Sequence, residues 1–499
     1  MIVAARVLLV MVIVVLVSGC VVGPNYVRPT ALTPEAYKEA EGWKVARPRD
    51  DAIRGPWWEL FADPTLAALE AQVSVSNQSL AAAEATYREA RALVRETRAA
   101  YFPTVTIGVG YTRSRGSATV VRPSGSGASS VGVSTGVGVS GKPSDFFQLP
   151  LDIAWAPDLW GKVRRGVEAN QASAQASAGD LETARLSLQA ELAQDYFLLR
   201  TLDAQKRLLD ATVAAYEKSL ELTRNRYAGG IASQVDVVQA ETQLKTTQAQ
   251  ALDVGVQRSQ LEHAIAILIG QPPSSLALPA MPLAAAPPPI PVGIPSELLE
   301  RRPDVAAAER RVAAANAQIG VAIAAFYPTV TLSASAGFES TSLSQWLTWP
   351  SRFWSVGPAI SQTVFDGGLR RAQTDQARGV YDASVATYRQ TVLGAFQGVE
   401  DNLAALRILE EEARVQGEAV KAAQQSLTLT TSQYRAGTVS YLNVITTQTI
   451  ALADEITAVQ ILGRRMTAAV LLIQALGGGW STVELASTLQ VTEREKPGQ

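Results

Sequence analysis

Ala99–Tyr111 reads AAYFPTVTIGVGY, and Ala324–Phe338 answers it with AAFYPTVTLSASAGF. In the first, Val105, Ile107, Val109 and Tyr111 alternate with Thr104, Thr106, Gly108 and Gly110. In the second, Val330, Leu332, Ala334, Ala336 and Phe338 alternate with Thr329, Thr331, Ser333, Ser335 and Gly337. A period of two puts each set on its own face of a strand. Two further stretches behave alike. FQLPLDIAW sets Phe147, Leu149, Leu151, Ile153 and Trp155 against Gln148, Pro150, Asp152 and Ala154. From Phe353 to Val364, Trp354, Val356, Ile360 and Val364 oppose small and polar residues. Each stretch is close to the roughly 9–11 residues that cross a bilayer as a tilted strand. One face suits lipid and the other is small and polar. Pro150 and Pro358 each remove a ladder donor.

The echo is part of an internal repeat. Pro103 and Pro328 start the two Pro-Thr-Val-Thr cores, 225 positions apart. LTRNRYAGGIASQVDV from Leu222 and LTTSQYRAGTVSYLNV from Leu429 match at an offset of 207, Tyr227 with Tyr434 and Gly230 with Gly437. The offsets differ by 18, so the first copy holds extra length between these points. The Gly/Ser-rich stretch Thr112–Asp145 is its place and reads as a long loop. Gln271–Pro295 is too proline-rich for helix interior and reads as a connector. The expected organisation is 1–19 signal peptide, 20–63 anchor and extended segment, 64–270 first repeat, 271–295 connector, 296–476 second repeat and 477–499 tail.

Between strands the period changes. From Leu192 to Tyr227, positions spaced 3, 4, 3, 4 are apolar at eight of eleven, and the same frame moved by 207 is again apolar at eight of eleven. A sustained heptad means helices wound on partners. A helix over Leu159–Tyr227 would be roughly 100 Å long at 1.5 Å per residue. Taken alone, these helices also fit a coiled-coil rod.

The single cysteine, Cys20, follows an uncharged apolar run and the small residues Ser18 and Gly19. That is the layout of a secretory signal peptide. Leu-x-Ser-Gly-Cys resembles a bacterial lipobox, which makes Cys20 the predicted lipidation site, and Val21 in place of Asp favours outer-membrane delivery. With one His, His263, and no second cysteine, a His/Cys metal cluster or Cys/His nucleophile pair is excluded. His263 reads as a packed or interfacial helix residue. A net charge of −2 gives no nucleic-acid surface. No motif joins carboxylates to a pocket, so catalytic, metal and cofactor residues are all expected to be none.

Four strands cannot close a barrel, since closed outer-membrane barrels start at about eight. An open edge in hydrocarbon leaves backbone groups unpaired at several kcal/mol each. The chain must therefore oligomerise: two copies give eight strands and a filled lumen, three give twelve and an aqueous bore.

At this point the sequence resembles the TolC-type outer-membrane efflux family, in its lipoprotein branch serving resistance-nodulation-division pumps. The carriers are CVVGPNYVRP from Cys20, WWELFADPTL from Trp57, AYFPTV, FYPTVTL, DLWGKVRR from Asp158, FDGGLRR from Phe365 and LLERRPDVAAAE from Leu298. The resemblance implies an α+β membrane protein. It would be a homotrimer with a twelve-stranded β-barrel, four strands per protomer, continuous with a long periplasmic α-helical coiled-coil barrel. It implies a periplasmic adaptor, an inner-membrane resistance-nodulation-division pump and outer-membrane lipid as partners, and expelled drugs or small toxic compounds as cargo. An exit duct for protein secretion is the alternative within the family, and a pore-free coiled-coil lipoprotein the alternative outside it.

The two Tyr-x-x-Gly turns would be the periplasmic tips. Gly230 and Gly437 suit left-handed helix ends, and Ser233 and Ser440 suit the caps of the following helices, with Asp236 and Asn443 three residues on. The adaptor-contact candidates are Gly229, Gly230, Ile231, Gly437, Thr438 and Val439. Relatives often carry two aspartates after the second turn, where symmetry makes charged rings at the aperture. Here those positions are Asn443 and Thr446, and Asp236 is the remaining acidic candidate, with helix capping as its other role.

Overall fold

The computed structural model describes residues 21–31, 33–34, 36–40, 56–115, 143–281, 283, 287–290 and 302–478. Cys20, the signal, most of the Gly/Ser-rich loop and most of the tail lie outside them. The elements are α1 (Pro64–Ser76), α2 (Gln78–Ala99), β1 (Thr104–Ile107), β2 (Gly110–Ser114), β3 (Ser144–Trp155), α3 (Lys162–Ala228), α4 (Gln234–Leu268), α5 (Pro303–Ala324), β4 (Thr329–Ser340), β5 (Arg352–Ser361), α6 (Leu369–Arg435) and α7 (Tyr441–Ala475).

The repeat is kept to the residue. α2 and α5 are each 22 residues long and begin 225 positions apart. α3 and α6 are each 67 residues, α4 and α7 each 35, and every start and end of these pairs differs by 207. The change of offset falls between Ser114 and Ser144, on the Gly/Ser-rich loop.

Two units can be separated. The first holds residues 1–26, 92–171 and 314–381, the second 27–91, 172–313 and 382–499.

The first unit is built on an antiparallel sheet in the order β1-β3-β4-β5, with β2 also on β3. The register gathers one apolar face: Ile107 opposes Leu151, Leu151 opposes Ala336, and Ala336 opposes Trp354. The other face pairs Thr106 with Asp152, Asp152 with Ser335, and Ser335 with Ser355. The apolar face is bare, with Ile107, Val109, Trp354, Val356 and Ile360 all more than 70% exposed. The sequence expects one strand over about 102–111, but β1 and β2 are interrupted at Gly108 and Val109. Pro150 is the cause. Gly108 donates its N–H to the Pro150 carbonyl at 3.0 Å, and proline has no N–H to return. The register is the same on both sides of the gap, so no residue is inserted. The second stretch, expected over about 328–338, forms Thr329–Ser340, and that expected over 147–155 begins earlier, at Ser144. β5 stops at Ser361 rather than reaching Val364, because Ser361 pairs with Thr329, the first residue of β4, and Pro328 before it has no N–H to continue the ladder. Gly337 is required: the Leu149 carbonyl stands where its Cβ would be.

The segment after Cys20 is laid on this unit. Val22 donates to the Trp160 carbonyl at 3.3 Å, and Arg165 donates to the carbonyls of Val22 and Gly23 and to Asn25 Oδ1. Val21 packs at Gly161, just before α3. Asp158 accepts from the N–H groups of Val163 and Arg164, which starts α3 at Lys162 instead of Leu159. Trp160 stacks on Tyr327 at 4.9 Å and donates to the Pro328 carbonyl.

The second unit is helical. Heptad positions Leu192, Leu199, Leu209 and Tyr216 of α3 and Val399, Leu406 and Leu409 of α6 are buried, and Leu202, Leu209, Ala251, Val254 and Leu452 form one cluster. α7 is long and apolar enough to cross a membrane, yet Ile461, Val470, Leu472 and Ile473 are buried in the protein. His263 is exposed on α4 rather than packed inside, because its heptad seam, shared with Val256, points away from the core. Asp63 caps α1 through the N–H groups of Thr65 and Leu66 and accepts from the Tyr196 hydroxyl at 2.6 Å. A polar clamp fixes the start of the connector. Asp203 accepts from Arg200, Arg258 and the Met281 N–H, while Glu262 accepts from Arg258 and the Leu278 N–H. Arg302 donates to the Ala475 carbonyl, tying the opening of the second repeat to the end of the last helix. Glu70 of α1 is fully buried with neither carboxylate oxygen partnered among the described residues, and burial pushes it from 4.5 to about 9.

Candidate functional site

The two helix turns expected to be tips lie in the second unit and share one geometry. Gly230 has φ +74° and Gly437 φ +82°. Behind them Ile231 donates back to the Arg226 carbonyl and Thr438 to the Gln433 carbonyl, while Gly230 and Gly437 donate to Tyr227 and Tyr434. This is the Schellman ending, which needs a left-handed residue and so selects glycine.

The caps that follow differ. Ser233 Oγ accepts from the Asp236 N–H at 3.2 Å, and Asp236 accepts from the Ser233 N–H at 2.9 Å, a complete capping box. The sequence expects the same of Ser440, but its side chain makes no cap bond. Its carbonyl accepts the Asn443 N–H at 3.2 Å instead. The charged carboxylate of Asp236 draws in both the N–H and hydroxyl of Ser233. The neutral amide of Asn443 forms no such box.

Beneath the turns, Tyr216, Leu220, Ala240, Leu244, Tyr434, Tyr441 and Val444 form one buried cluster. Tyr434 and Tyr441 rings lie 5.3 Å apart. The Tyr441 hydroxyl bonds Ser219 Oγ at 3.1 Å, and the Tyr434 hydroxyl bonds Thr223 at 3.5 Å. Burial pushes the Tyr216 and Tyr441 phenols above their usual range, so both stay protonated at neutral pH. Arg226 crosses from the first turn to the second. It donates to the carbonyls of Tyr434 at 3.0 Å and Arg435 at 3.3 Å, and its guanidinium lies 4.7 Å over the Tyr434 ring.

The structure brings both turns to one cluster. Gly229, Gly230, Ile231, Gly437 and Thr438 are exposed, whereas Val439 is partly buried against the tyrosines. Asn443 and Thr446 are exposed, and Thr446 spends its hydroxyl on the Leu442 carbonyl. Asp236 is half-buried and engaged in the cap. Sequence reasoning missed Arg226 and the unequal tyrosines: Tyr434 is buried, while its repeat mate Tyr227 is 47% exposed. The available signal was the break in the repeat where Arg226 stands opposite Gln433. Among the described residues no three His, Cys, Asp or Glu side chains gather as a metal site.

Comparison with known proteins meets this geometry. The outer membrane efflux protein family matches over residues 69–271 and 294–478. The toluene efflux pump outer membrane protein TtgF of Pseudomonas putida is 31% identical over 481 residues, covering 94% of this chain and 96% of that one. The pyoverdine export outer membrane protein OpmQ of Pseudomonas aeruginosa is 31% identical over 445 residues, covering 88% and 91%. The solved outer-membrane channel OprN superposes with a TM-score of 0.84 at 32% identity, covering 92% of this chain and 100% of that one. With its apolar-faced sheet and repeated 67- and 35-residue helices, this chain belongs to the outer membrane efflux protein family and is an outer-membrane efflux channel protein.

Proposed function

We propose that three copies of this chain assemble into the exit duct of a tripartite efflux system. The sheet carries the reading: β1 and β2, taken as one interrupted strand, pair with β3, β4 and β5 to give four, with one bare apolar face and, among the described residues, two open edges. In hydrocarbon each unpaired edge group costs several kcal/mol, so strands of neighbouring copies must close the ring. Twelve strands leave an aqueous bore, lined here by threonine, serine and glycine together with Gln148, Asp152 and Glu339. The helices support the same symmetry. Val235, Val238, Leu252 and Val256 stand exposed at heptad spacing on α4, and Ile408, Val415 and Leu429 on α6. Such stripes want a helix from another copy.

The matched relatives handle toluene and pyoverdine by name. On that basis the cargo is small toxic or secreted compounds, passed on without reaction, by a passive duct that is not an enzyme. A periplasmic adaptor would seat on the exposed tips at Gly229–Ile231 and Gly437–Thr438, with Val439 supporting the second from below, and a resistance-nodulation-division pump would supply the cargo. Asp236, Asn443 and Thr446 would face the aperture. Cys20 would carry the lipid, since the Val21 that follows it packs at Gly161, beside the strand-to-helix junction. The repeats would span 64–270 and 296–476, in keeping with the two blocks of the family match.

Native mass in detergent together with planar-bilayer conductance tests the assembly. Three copies and a stable conductance are expected; a monomer, or a trimer that never conducts, refutes the duct. Deleting the gene alongside candidate pump genes should raise drug or solvent sensitivity.

A further inference from the structure

The turn joining β4 to β5, residues 341–351, is not the polar turn that a solvent-facing hairpin uses. Leu343–Gln345 is a helical turn, and Trp346 continues it at φ −59° and ψ −49°. Residues three apart eclipse in such a 3-10 turn, so Leu343 shares a side with Trp346, and Leu347 follows directly after it. That side is fixed to the sheet: the Trp346 ring lies 5.6 Å from Phe147, and Phe147 lies 4.9 Å from Tyr111. Phe147 and Tyr111 oppose each other on the apolar face. Leu343, Leu347 and Trp349 nevertheless stand 66%, 63% and 76% exposed. Arg352, opposite Phe338 on the same face, sets its guanidinium over Trp349 and donates to the Trp349 carbonyl at 3.1 Å.

Most hydroxyls of the turn are bonded within it, while the Trp346 indole N–H is buried without a partner among the described residues. Thr348 and Ser351 donate to the Gln345 carbonyl at 2.7 and 2.6 Å, and Ser342 bonds Ser344 at 3.0 Å. Taking this turn out of water thus strands few polar groups. Exposed leucines and a tryptophan, an arginine at the margin and continuity with the apolar face of the sheet together describe an interfacial segment.

We infer that residues 341–351 lie in the interfacial layer of the bilayer, with Leu343, Leu347 and Trp349 among the lipids and Arg352 at the level of their phosphates. The occupant of this surface is lipid. The inference rests on the sheet being the bilayer-spanning part, and the test separates the two. Full-length Leu347→Cys and Val356→Cys proteins are labelled with an environment-sensitive fluorophore and reconstituted in phosphatidylcholine vesicles, with wild type setting the Cys20 background. Nitroxide lipids and aqueous iodide are the quenchers, and bilayer conductance confirms folding. Val356, on the strand, reports on the spanning reading. Label at Leu347 should lose about half its emission to headgroup nitroxide and almost none to iodide. Quenching by iodide, or protection from both quenchers because a second copy covers the turn, overturns the inference while a lipid-quenched Val356 leaves the spanning sheet intact.

Discussion

Glu70→Gln is predicted to stabilise the protein in a way that grows with pH. Glu70 is fully buried, its oxygens have no partner among the described residues, and burial raises its carboxyl from 4.5 to about 9. The folded chain holds it neutral at pH 7, while the unfolded chain ionises it. Because the folded value is the raised one, the associated stability is full below about 4.5 and is lost as pH climbs towards about 9. Each pH unit in that window removes about 1.4 kcal/mol, so at pH 7 the loss is on the order of 3 kcal/mol per chain. Glutamine has nearly the same shape and no proton to lose. The assay is thermal unfolding of detergent-solubilised wild type and variant, followed by circular dichroism between about pH 5 and pH 9. The melting temperatures should nearly coincide at the acid end and separate by several degrees, in the variant's favour, towards the alkaline end. A separation that stays constant across the range would refute the reasoning, because it would mean Glu70 gains or loses no proton on unfolding.

Arg226→Ala removes both bonds to the second turn; it should cost about 1–3 kcal/mol locally and show as faster hydrogen exchange around Tyr434. Asp236→Ala removes the capping box and should cost about 1 kcal/mol; a rise in single-channel conductance would add an aperture role, and unchanged conductance would reject it. Gly337→Val puts a side chain against the Leu149 carbonyl; no trimer should appear on native gels, and normal assembly would contradict the close strand approach. Cys20→Ser should abolish incorporation of labelled palmitate while leaving the conductance of purified protein intact.

The strands were the most legible part of the chain. A period of two with lipid on one side leaves a strong trace, and Ile107, Leu151 and Trp354 share the face their alternation predicts. What alternation could not reveal was a gap in β1–β2 set by a residue on the partner strand, Pro150, some 40 positions away. The helices were legible as heptads, and glycine at 230 and 437 announced the left-handed turns. The tip chemistry was only half readable. Ser233 and Ser440 occupy matching positions, yet whether a serine closes a cap depends on the group three residues on, and Asp236 and Asn443 differ in charge. Which tyrosine is buried depends on Arg226 reaching across to the other repeat, a contact over more than 200 positions that no local pattern encodes. Glu70 sits at the core side of α1 among Leu66, Leu69 and Val73, in a helix whose sequence has no clear apolar face, so its isolation appeared only with the packing.

The constant 207-residue spacing of the long helices limits how such a chain can drift. One residue added inside either helix would swing everything beyond it by about 100° and push it on by 1.5 Å, carrying each buried leucine past its neighbour. Only whole heptads, gained or lost in both copies together, would keep the seams in step. The helices thus behave as a pair of gauges cut to one length, and evolution's freedom to lengthen the chain is left to the stretch between Ser114 and Ser144.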